Sequence, residues 1–290
     1  MFNGSYVAIV TPFQDGKVDE KTLRNLVDYQ IERGTDGIVP CGTSGESATL
    51  THDEHCQVID IVIDQTKGRV PVVAGSGSNS THETLYLTEY AKKAGADGAL
   101  LITPYYNKPS QEGLYQHYKY VAENVDIPII MYNVPGRTAC NMLPETAIRL
   151  SKIPNIVSIK EASGSMDQAA AIIDGTDDDF GLLAGEDALI YPLLTIGSNG
   201  VISASVNACP QMAADMYDAF VAGDTKKALE LHFKLLPLFD SFFIETNPVP
   251  VKKALELMGL IGPEVRLPLV EMTPEGTAKM KAVMEQVGIL

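Results

Sequence analysis

One apolar run in the sequence ends on a lysine. Residues 155–164 read NIVSIKEASG, in which Lys160 follows a stretch typical of a buried strand. In an extended strand Lys160 and Ser158 share one face, while Val157 and Ile159 take the other. If the aliphatic face packs on helices, Lys160 points away from them. Desolvation there would lower the pKa of the lysine and supply the neutral amine that a Schiff-base nucleophile requires. A lysine that merely leaves the strand for solvent is the alternative.

A tyrosine ends another apolar run in the same way. Tyr132 is the last aromatic of IPIIMYN, residues 127–133, and it shares a strand face with Ile130. As a functional residue it could move protons beside a Schiff base through a hydrogen-bonded relay. As a structural residue it would be a buried ring whose hydroxyl needs only one partner.

The charge balance separates classes of ligand. The chain has 290 residues and a formal net charge of −15, which opposes non-specific binding of nucleic acid. An anionic small molecule would need a local positive group. Arg137, in the segment NVPGRT, can bind a carboxylate through two hydrogen bonds. A surface ion pair is the other interpretation of Arg137.

A glycine-rich segment offers a second anion site. GTSGES, residues 42–47, lacks the G-K-[ST] ending of a phosphate-binding P-loop, so a tight turn is its simplest interpretation. The hydroxyls of Thr43 and Ser44, together with flexible backbone amides, could still hold a carboxylate. The neighbouring THDEHC is not the H-E-x-x-H zinc motif, and its acids suit the first turn of a helix.

A regular framework of strands must position these residues. Helix-like segments separate eight β-branched runs, which begin at residues 5, 36, 70, 97, 127, 155, 180 and 200. The runs are almost continuously apolar, as parallel strands covered on both faces are. This pattern predicts a (β/α)8 TIM barrel, an α/β fold whose active sites gather at the carboxyl ends of the strands. An open doubly wound sheet is the alternative, but no Rossmann glycine fingerprint follows the first run.

The pattern after about residue 208 is helical only. We therefore predict a catalytic barrel domain over residues 1–224 and a C-terminal all-helical domain over residues 225–290 that packs on the barrel. The first residues read directly as a strand, without the basic region or cleavage site of a signal peptide. The four cysteines are scattered and form no C-x-x-C pair. These features predict a cytoplasmic protein.

Five segments together resemble the dihydrodipicolinate synthase family. They are CGTSGESATL, TPYYNKPSQEGLYQHY, YNVPGRTA, IKEASG and NPVPVKKALELMG, and the likeness runs essentially from end to end. The lysine strand and the G-[ST]-[ST]-G-E loop are shared with the wider N-acetylneuraminate lyase superfamily, whose members form a Schiff base with pyruvate-type substrates. The tyrosine segment and the arginine are more particular to the synthase family.

The resemblance implies a condensation of pyruvate with L-aspartate 4-semialdehyde that needs no metal or organic cofactor. It implies that Lys160 forms the imine with pyruvate. It also implies that Thr43, Tyr132 and Tyr106 relay protons, with Tyr106 reaching the site of a neighbouring subunit. The substrate-binding residues that it implies are Thr43, Ser44, Arg137, Gly185 and Ile202. Ser44 stands where the family usually has a threonine, so the hydroxyl is kept and a methyl group is lost.

The same resemblance implies an assembly and a regulator. It implies a homotetramer, built as a dimer of dimers. It also implies inhibition by L-lysine, the end product of the diaminopimelate route that this reaction opens. The residues that it assigns to the lysine site are Ser47, Ala48, His52, His55, Asn79, Glu83 and Tyr105. Among these, His55 and Glu83 are associated with the lysine-sensitive form.

Two other functions remain open at this point. Another lyase of the superfamily would cleave a sialic acid or a 2-keto-3-deoxy sugar acid, and the combination of Arg137 with Tyr106 argues against it. A barrel retained as a non-catalytic binding or scaffold protein is the second, and the intact chemical positions argue against that. Glu161, next to Lys160, has no assigned role, and strand parity places it on the opposite face.

Overall fold

Two compact units make up the chain in the computed structural model, which describes residues 2–290. The terminal unit comprises residues 4–70 and 203–290. The central unit comprises residues 71–202 together with residues 2 and 3.

Strands and helices alternate along most of the chain. In chain order the strands are β1 (Gly4–Ala8), β2 (Phe13–Gln14), β3 (Lys17–Val18), β4 (Gly37–Val39), β5 (Val73–Gly75), β6 (Gly98–Ile102), β7 (Ile129–Asn133), β8 (Ile156–Glu161), β9 (Gly181–Ala184) and β10 (Gly200–Ser203). The helices are α1 (Glu20–Ile31), α2 (His52–Thr66), α3 (Thr81–Ala94), α4 (Gln111–Asn124), α5 (Pro135–Thr138), α6 (Pro144–Leu150), α7 (Met166–Gly175), α8 (Ile190–Thr195), α9 (Pro210–Val221), α10 (Thr225–Ser241), α11 (Val249–Leu257) and α12 (Pro274–Val287). Each of the eight predicted strands is present.

The terminal unit contains a parallel strand pair and a small hairpin. β1 pairs with β4, with Tyr6 opposite Gly37, and every residue of both strands is buried. β2 and β3 form the antiparallel hairpin, whose turn residues Asp15 and Gly16 have φ of 53° and 75°. The strands predicted from the sequence do not include this hairpin, although Asp-Gly is the residue pair that a type I′ turn favours.

Capping residues define the helices of the terminal unit. Asp19 caps α1, as its position before the apolar periodicity indicates. Thr51 and Glu54 form a capping box at the start of α2, so the polar THDEHC segment does begin a helix. Gly223, with φ of +85°, separates α9 from α10, and Asp224 caps α10. The predicted domain boundary at residue 224 therefore coincides with a helix start, and the two-domain division itself stays a prediction.

The strands of the central unit form a parallel sheet in the order β10–β9–β8–β7–β6–β5. Every residue of β7 is buried, and so is all of β8 except Val157, which is partly exposed. The register between these two strands places Tyr132 opposite Lys160 and Asn133 opposite Glu161. Adjacent parallel strands thus end together, which brings polar side chains to one edge of the sheet.

Ser80, rather than Thr81, caps α3 in the central unit. The Ser80 side chain accepts a hydrogen bond from the Glu83 N–H. The Thr81 hydroxyl instead lies 2.9 Å from His117 Nδ1. The helix ends at Gly95, whose φ of 96° is left-handed. Across residues 2–290, none of the helices has the length and apolar character that crossing a membrane requires.

Candidate active site

Lys160 and Tyr132 form a buried pair at the ends of β8 and β7. Only 6% of the Lys160 surface is exposed, and its Nζ lies 4.3 Å from the centre of the Tyr132 ring. Ser158, on the same strand face, donates a hydrogen bond to the Gly181 carbonyl at 2.8 Å. The lysine therefore does not leave the strand for solvent, and an ammonium or amine is held against the face of an aromatic ring.

Gly185 follows β9 and leaves room beside the lysine. Its N–H donates to the Glu161 carbonyl at 2.8 Å. A Cβ at this position would lie 3.0 Å from Lys160 Cγ and 2.7 Å from the Ala162 Cβ. A side chain larger than hydrogen would therefore displace the lysine or its strand. Ile202, on β10, is fully buried.

Arg137 lies on the short helix α5, directly after β7, and it is exposed. The neighbouring Thr138 is buried, and its hydroxyl lies within hydrogen-bond distance of the Val134 and Cys140 carbonyls, at 3.2 and 2.9 Å. An arginine is thus presented by a segment whose own backbone is firmly anchored.

Tyr106 lies in the loop after β6 and turns away from its own chain. It is 89% exposed and has a φ of +71°, a left-handed conformation that is rare for a bulky residue. Asn107 beside it donates to the Asn79 carbonyl at 2.9 Å, and Lys108 also has a positive φ. Such backbone strain tends to persist where it serves a function.

Thr43 and Ser44 lie in a tight turn of the terminal unit, after β4. The N–H of Gly45 donates to the Gly42 carbonyl and that of Glu46 to the Thr43 carbonyl, each at 3.1 Å. Ser44 is buried, and its hydroxyl accepts a hydrogen bond from the Asn247 side chain at 3.2 Å. The structural interpretation of GTSGES as a turn is therefore confirmed, and a carboxylate-binding role is compatible with it.

A buried ion pair that the sequence did not predict holds this turn. Lys252 Nζ lies 2.6 Å from Glu46 Oε1, and only 1% of each side chain is exposed. Lys252 also donates to the Thr11 carbonyl at 3.0 Å, while the backbone N–H of Arg266 donates to Glu46 Oε2 at 3.1 Å. Burial lowers the pKa of Lys252 from its ordinary value. The only sequence signal was the glutamate of the G-[ST]-[ST]-G-E loop.

The residues expected to bind L-lysine are found in both units. In the terminal unit Ser47 begins a short 3-10 helix that also contains Ala48, His52 is exposed, and His55 is buried within α2.

In the central unit, Glu83 lies in the first turn of α3, where its carboxylate accepts a hydrogen bond from Ser78. Asn79 precedes that helix and is partly exposed, and Tyr105 is exposed in the loop after β6.

Known proteins resemble this chain over its whole length. The model of the dihydrodipicolinate synthetase family matches residues 1–287. The 4-hydroxy-tetrahydrodipicolinate synthase of Syntrophus aciditrophicus is 58% identical over 290 residues, which is all of both chains. The Acinetobacter baumannii dihydrodipicolinate synthase, solved as a pyruvate complex, is 45% identical, with a TM-score of 0.98 and full coverage of both chains. The enzyme from Cyanidioschyzon merolae, solved with lysine bound, is 40% identical, with a TM-score of 0.96 over 100% of this chain and 99% of that one.

These similarities decide both the fold class and the family. Eight parallel strands and their helices form a (β/α)8 barrel, followed by a C-terminal helical part, so the predicted fold is confirmed. A likeness at this identity over complete chains leaves no room for a different fold. The chain belongs to the dihydrodipicolinate synthetase family.

Proposed function

We propose that this chain is a lyase that condenses pyruvate with L-aspartate 4-semialdehyde to give 4-hydroxy-tetrahydrodipicolinate. The observation that carries the proposal is the buried Lys160, whose Nζ lies 4.3 Å from the centre of the Tyr132 ring. The reaction opens the diaminopimelate route to L-lysine. The proposal includes a cytoplasmic location and no metal or organic cofactor.

Lys160 is the nucleophile, and the imine that it forms is the electron sink of the reaction. Its amine attacks the keto carbon of pyruvate, and loss of water gives an imine. The cationic nitrogen accepts electrons from the methyl group, which loses a proton to form an enamine. The enamine carbon bonds to the aldehyde carbon of the second substrate. The amine of that substrate then displaces the Lys160 nitrogen and closes a six-membered ring, which regenerates the Lys160 amine.

The other site residues bind substrate and move protons. Tyr132, Thr43 and Tyr106 of a neighbouring subunit form the proton relay. The hydroxyls and amides of Thr43 and Ser44 bind the pyruvate carboxylate, and Arg137 binds the carboxylate of the semialdehyde. Gly185 and Ile202 complete the pocket.

Reductive trapping tests the imine. The protein is treated with pyruvate and borohydride, and mass spectrometry locates the added mass. Trapping at Lys160 is expected, together with turnover of pyruvate plus L-aspartate 4-semialdehyde and no release of pyruvate from sialic acid or 2-keto-3-deoxy sugar acids. Lys160→Ala should abolish trapping and turnover, while Lys152→Ala, at an exposed lysine before the same strand, should keep both. Nearly full turnover by Lys160→Ala would exclude the mechanism.

We also propose that the protein is a homotetramer and that L-lysine inhibits it. The lysine-bound structure of the Cyanidioschyzon merolae relative supports the second statement. The test is an inhibition curve with L-lysine for the unaltered protein and for Glu83→Ala, which should require more lysine. A flat curve up to about 10 mM, well above the range of ordinary small-ligand affinities, would contradict inhibition. Sedimentation analysis measures the assembly.

A further inference from the structure

Glu161 follows Lys160 on β8 and lies on the opposite face, where only 3% of its surface is exposed. The side chains of Asn133 and Gln168 each donate to its Oε2 at 3.1 Å. The backbone N–H of Ser163 donates to Oε1 at 2.6 Å. Three neutral donors therefore hold a buried carboxylate next to the lysine.

The donor set specifies a carboxylate at this position. A buried ionised carboxylate is costly unless several hydrogen bonds compensate for its lost hydration, and the three donors to Glu161 provide them. A glutamine would have the same shape, but its amide nitrogen would face a donor where Glu161 presents an acceptor. The site therefore selects the residue by hydrogen-bond type as well as by size.

The Glu161 network lies directly behind the lysine–tyrosine pair. Asn133 is the strand partner of Glu161, as Tyr132 is the partner of Lys160. Because successive residues alternate between faces, the side chains of Asn133 and Glu161 lie on one face of the sheet and those of Tyr132 and Lys160 on the other. The hydrogen bond between Asn133 and Glu161 thus fastens the register step that brings Tyr132 to Lys160, and a slip of that register would separate both pairs.

Asn133 also holds the segment that carries Arg137. Its Oδ1 accepts from the Met142 N–H at 2.9 Å, and its Nδ2 donates to Asn141 Oδ1 at 2.8 Å. Arg137 therefore lies in a segment, residues 133–142, whose first residue is hydrogen-bonded to its last two. The amide of Gln168 closes the network, since it exchanges two hydrogen bonds with the Asn141 amide, at 2.9 and 3.2 Å.

We propose that Glu161 is a positioning residue for the condensation. It fixes Asn133, and through Asn133 it sets both the register of Lys160 with Tyr132 and the placement of Arg137. This inference rests on the proposed function, in which Lys160 forms the imine and Arg137 binds the second substrate. Glu161 itself touches no substrate. A misplacement of about 1 Å at groups that do can lower a rate by about 100-fold.

The test separates positioning from folding by counting working sites. Glu161→Gln is compared with Glu123→Gln, a matched change at an exposed glutamate on α4. Borohydride trapping with pyruvate gives the fraction of chains that form the imine, and the steady-state kcat is divided by that fraction. For Glu161→Gln we expect a kcat per trapped site about 10- to 100-fold below the control, and a raised KM for the semialdehyde.

A purely structural role would give a different result. It would lower only the trapped fraction and leave kcat per trapped site and KM within about twofold of the control, and that result would overturn the proposal. If Glu161→Gln does not fold, Gln168→Ala removes one donor and should lower kcat per trapped site by about 3- to 10-fold; no change there also overturns it. Failure of the unaltered protein to trap pyruvate would instead contradict the proposed function.

Discussion

Two buried carboxylates stand beside the two segments assigned to pyruvate, and they are stabilised by opposite means. Glu46 ends the turn that carries Thr43 and Ser44 in the terminal unit, and a buried lysine ammonium neutralises it. Glu161 follows Lys160 in the central unit, and its donors are two side-chain amides and a backbone N–H. One site depends on charge, the other on hydrogen-bond geometry.

The difference predicts unequal responses to losing a partner. Removing one member of a buried ion pair leaves an uncompensated charge, which costs about 3–5 kcal/mol. Removing one neutral donor from a set of three costs about 1.5–3 kcal/mol, because the two remaining donors still hold the carboxylate. Glu46 should therefore tolerate substitution of its partner less well than Glu161.

Lys252→Met gives the largest expected effect. The change keeps the approximate length of the side chain but removes the ion-pair partner of the buried Glu46, so the unfolding free energy should fall by about 3–5 kcal/mol. Urea unfolding measures it. The double variant Lys252→Met with Glu46→Gln removes both charges and should recover most of the loss. A single-variant loss below about 1 kcal/mol would show that the pair is not desolvated as its burial indicates.

Gln168→Ala is the matching change at the other carboxylate. It removes the 3.1 Å hydrogen bond to Glu161, and the unfolding free energy should fall by about 1.5–3 kcal/mol in the same urea titration. A loss as large as that of Lys252→Met would erase the distinction between the two sites.

The last expected effect appears only in acid. Both oxygens of Glu54 accept hydrogen bonds from the Arg266 guanidinium, which lowers the pKa of Glu54 from 4.5 to about 2. A carboxyl whose pKa is lower in the folded state contributes stability above its ordinary pKa and loses it as the pH falls from 4.5 towards 2.

Thermal unfolding between pH 6 and pH 3 measures this contribution. Glu54→Gln should show a shallower fall in Tm than the unaltered protein, because it removes the carboxyl whose pKa is lowered by folding. Equal slopes in the two proteins would mean that the Glu54–Arg266 ion pair has no part in acid sensitivity.

The sequence predicted the strands and helices better than it predicted the hydrogen-bond and ion-pair partners of individual side chains. Strand parity placed Lys160 and Glu161 on opposite faces because a period of two is a local property. It could not identify Asn133 and Gln168 as partners, since hydrogen bonds depend on tertiary register. Lys252 is 206 residues from Glu46, and each looks like an ordinary surface charge in isolation. The roles of Tyr106 and Arg137 were implied only by resemblance, because exposed residues carry no pattern of burial.

The outward-facing Tyr106 has a genetic consequence. If its ring completes a neighbour's site, a chain lacking Tyr106 and a chain lacking Lys160 are each inactive alone but not together. In a mixed pair, the chain that keeps Lys160 receives the ring from the chain that keeps Tyr106, and one whole site results. Two defective alleles expressed in one cell would then complement each other, and activity would belong to the assembly rather than to any single gene copy.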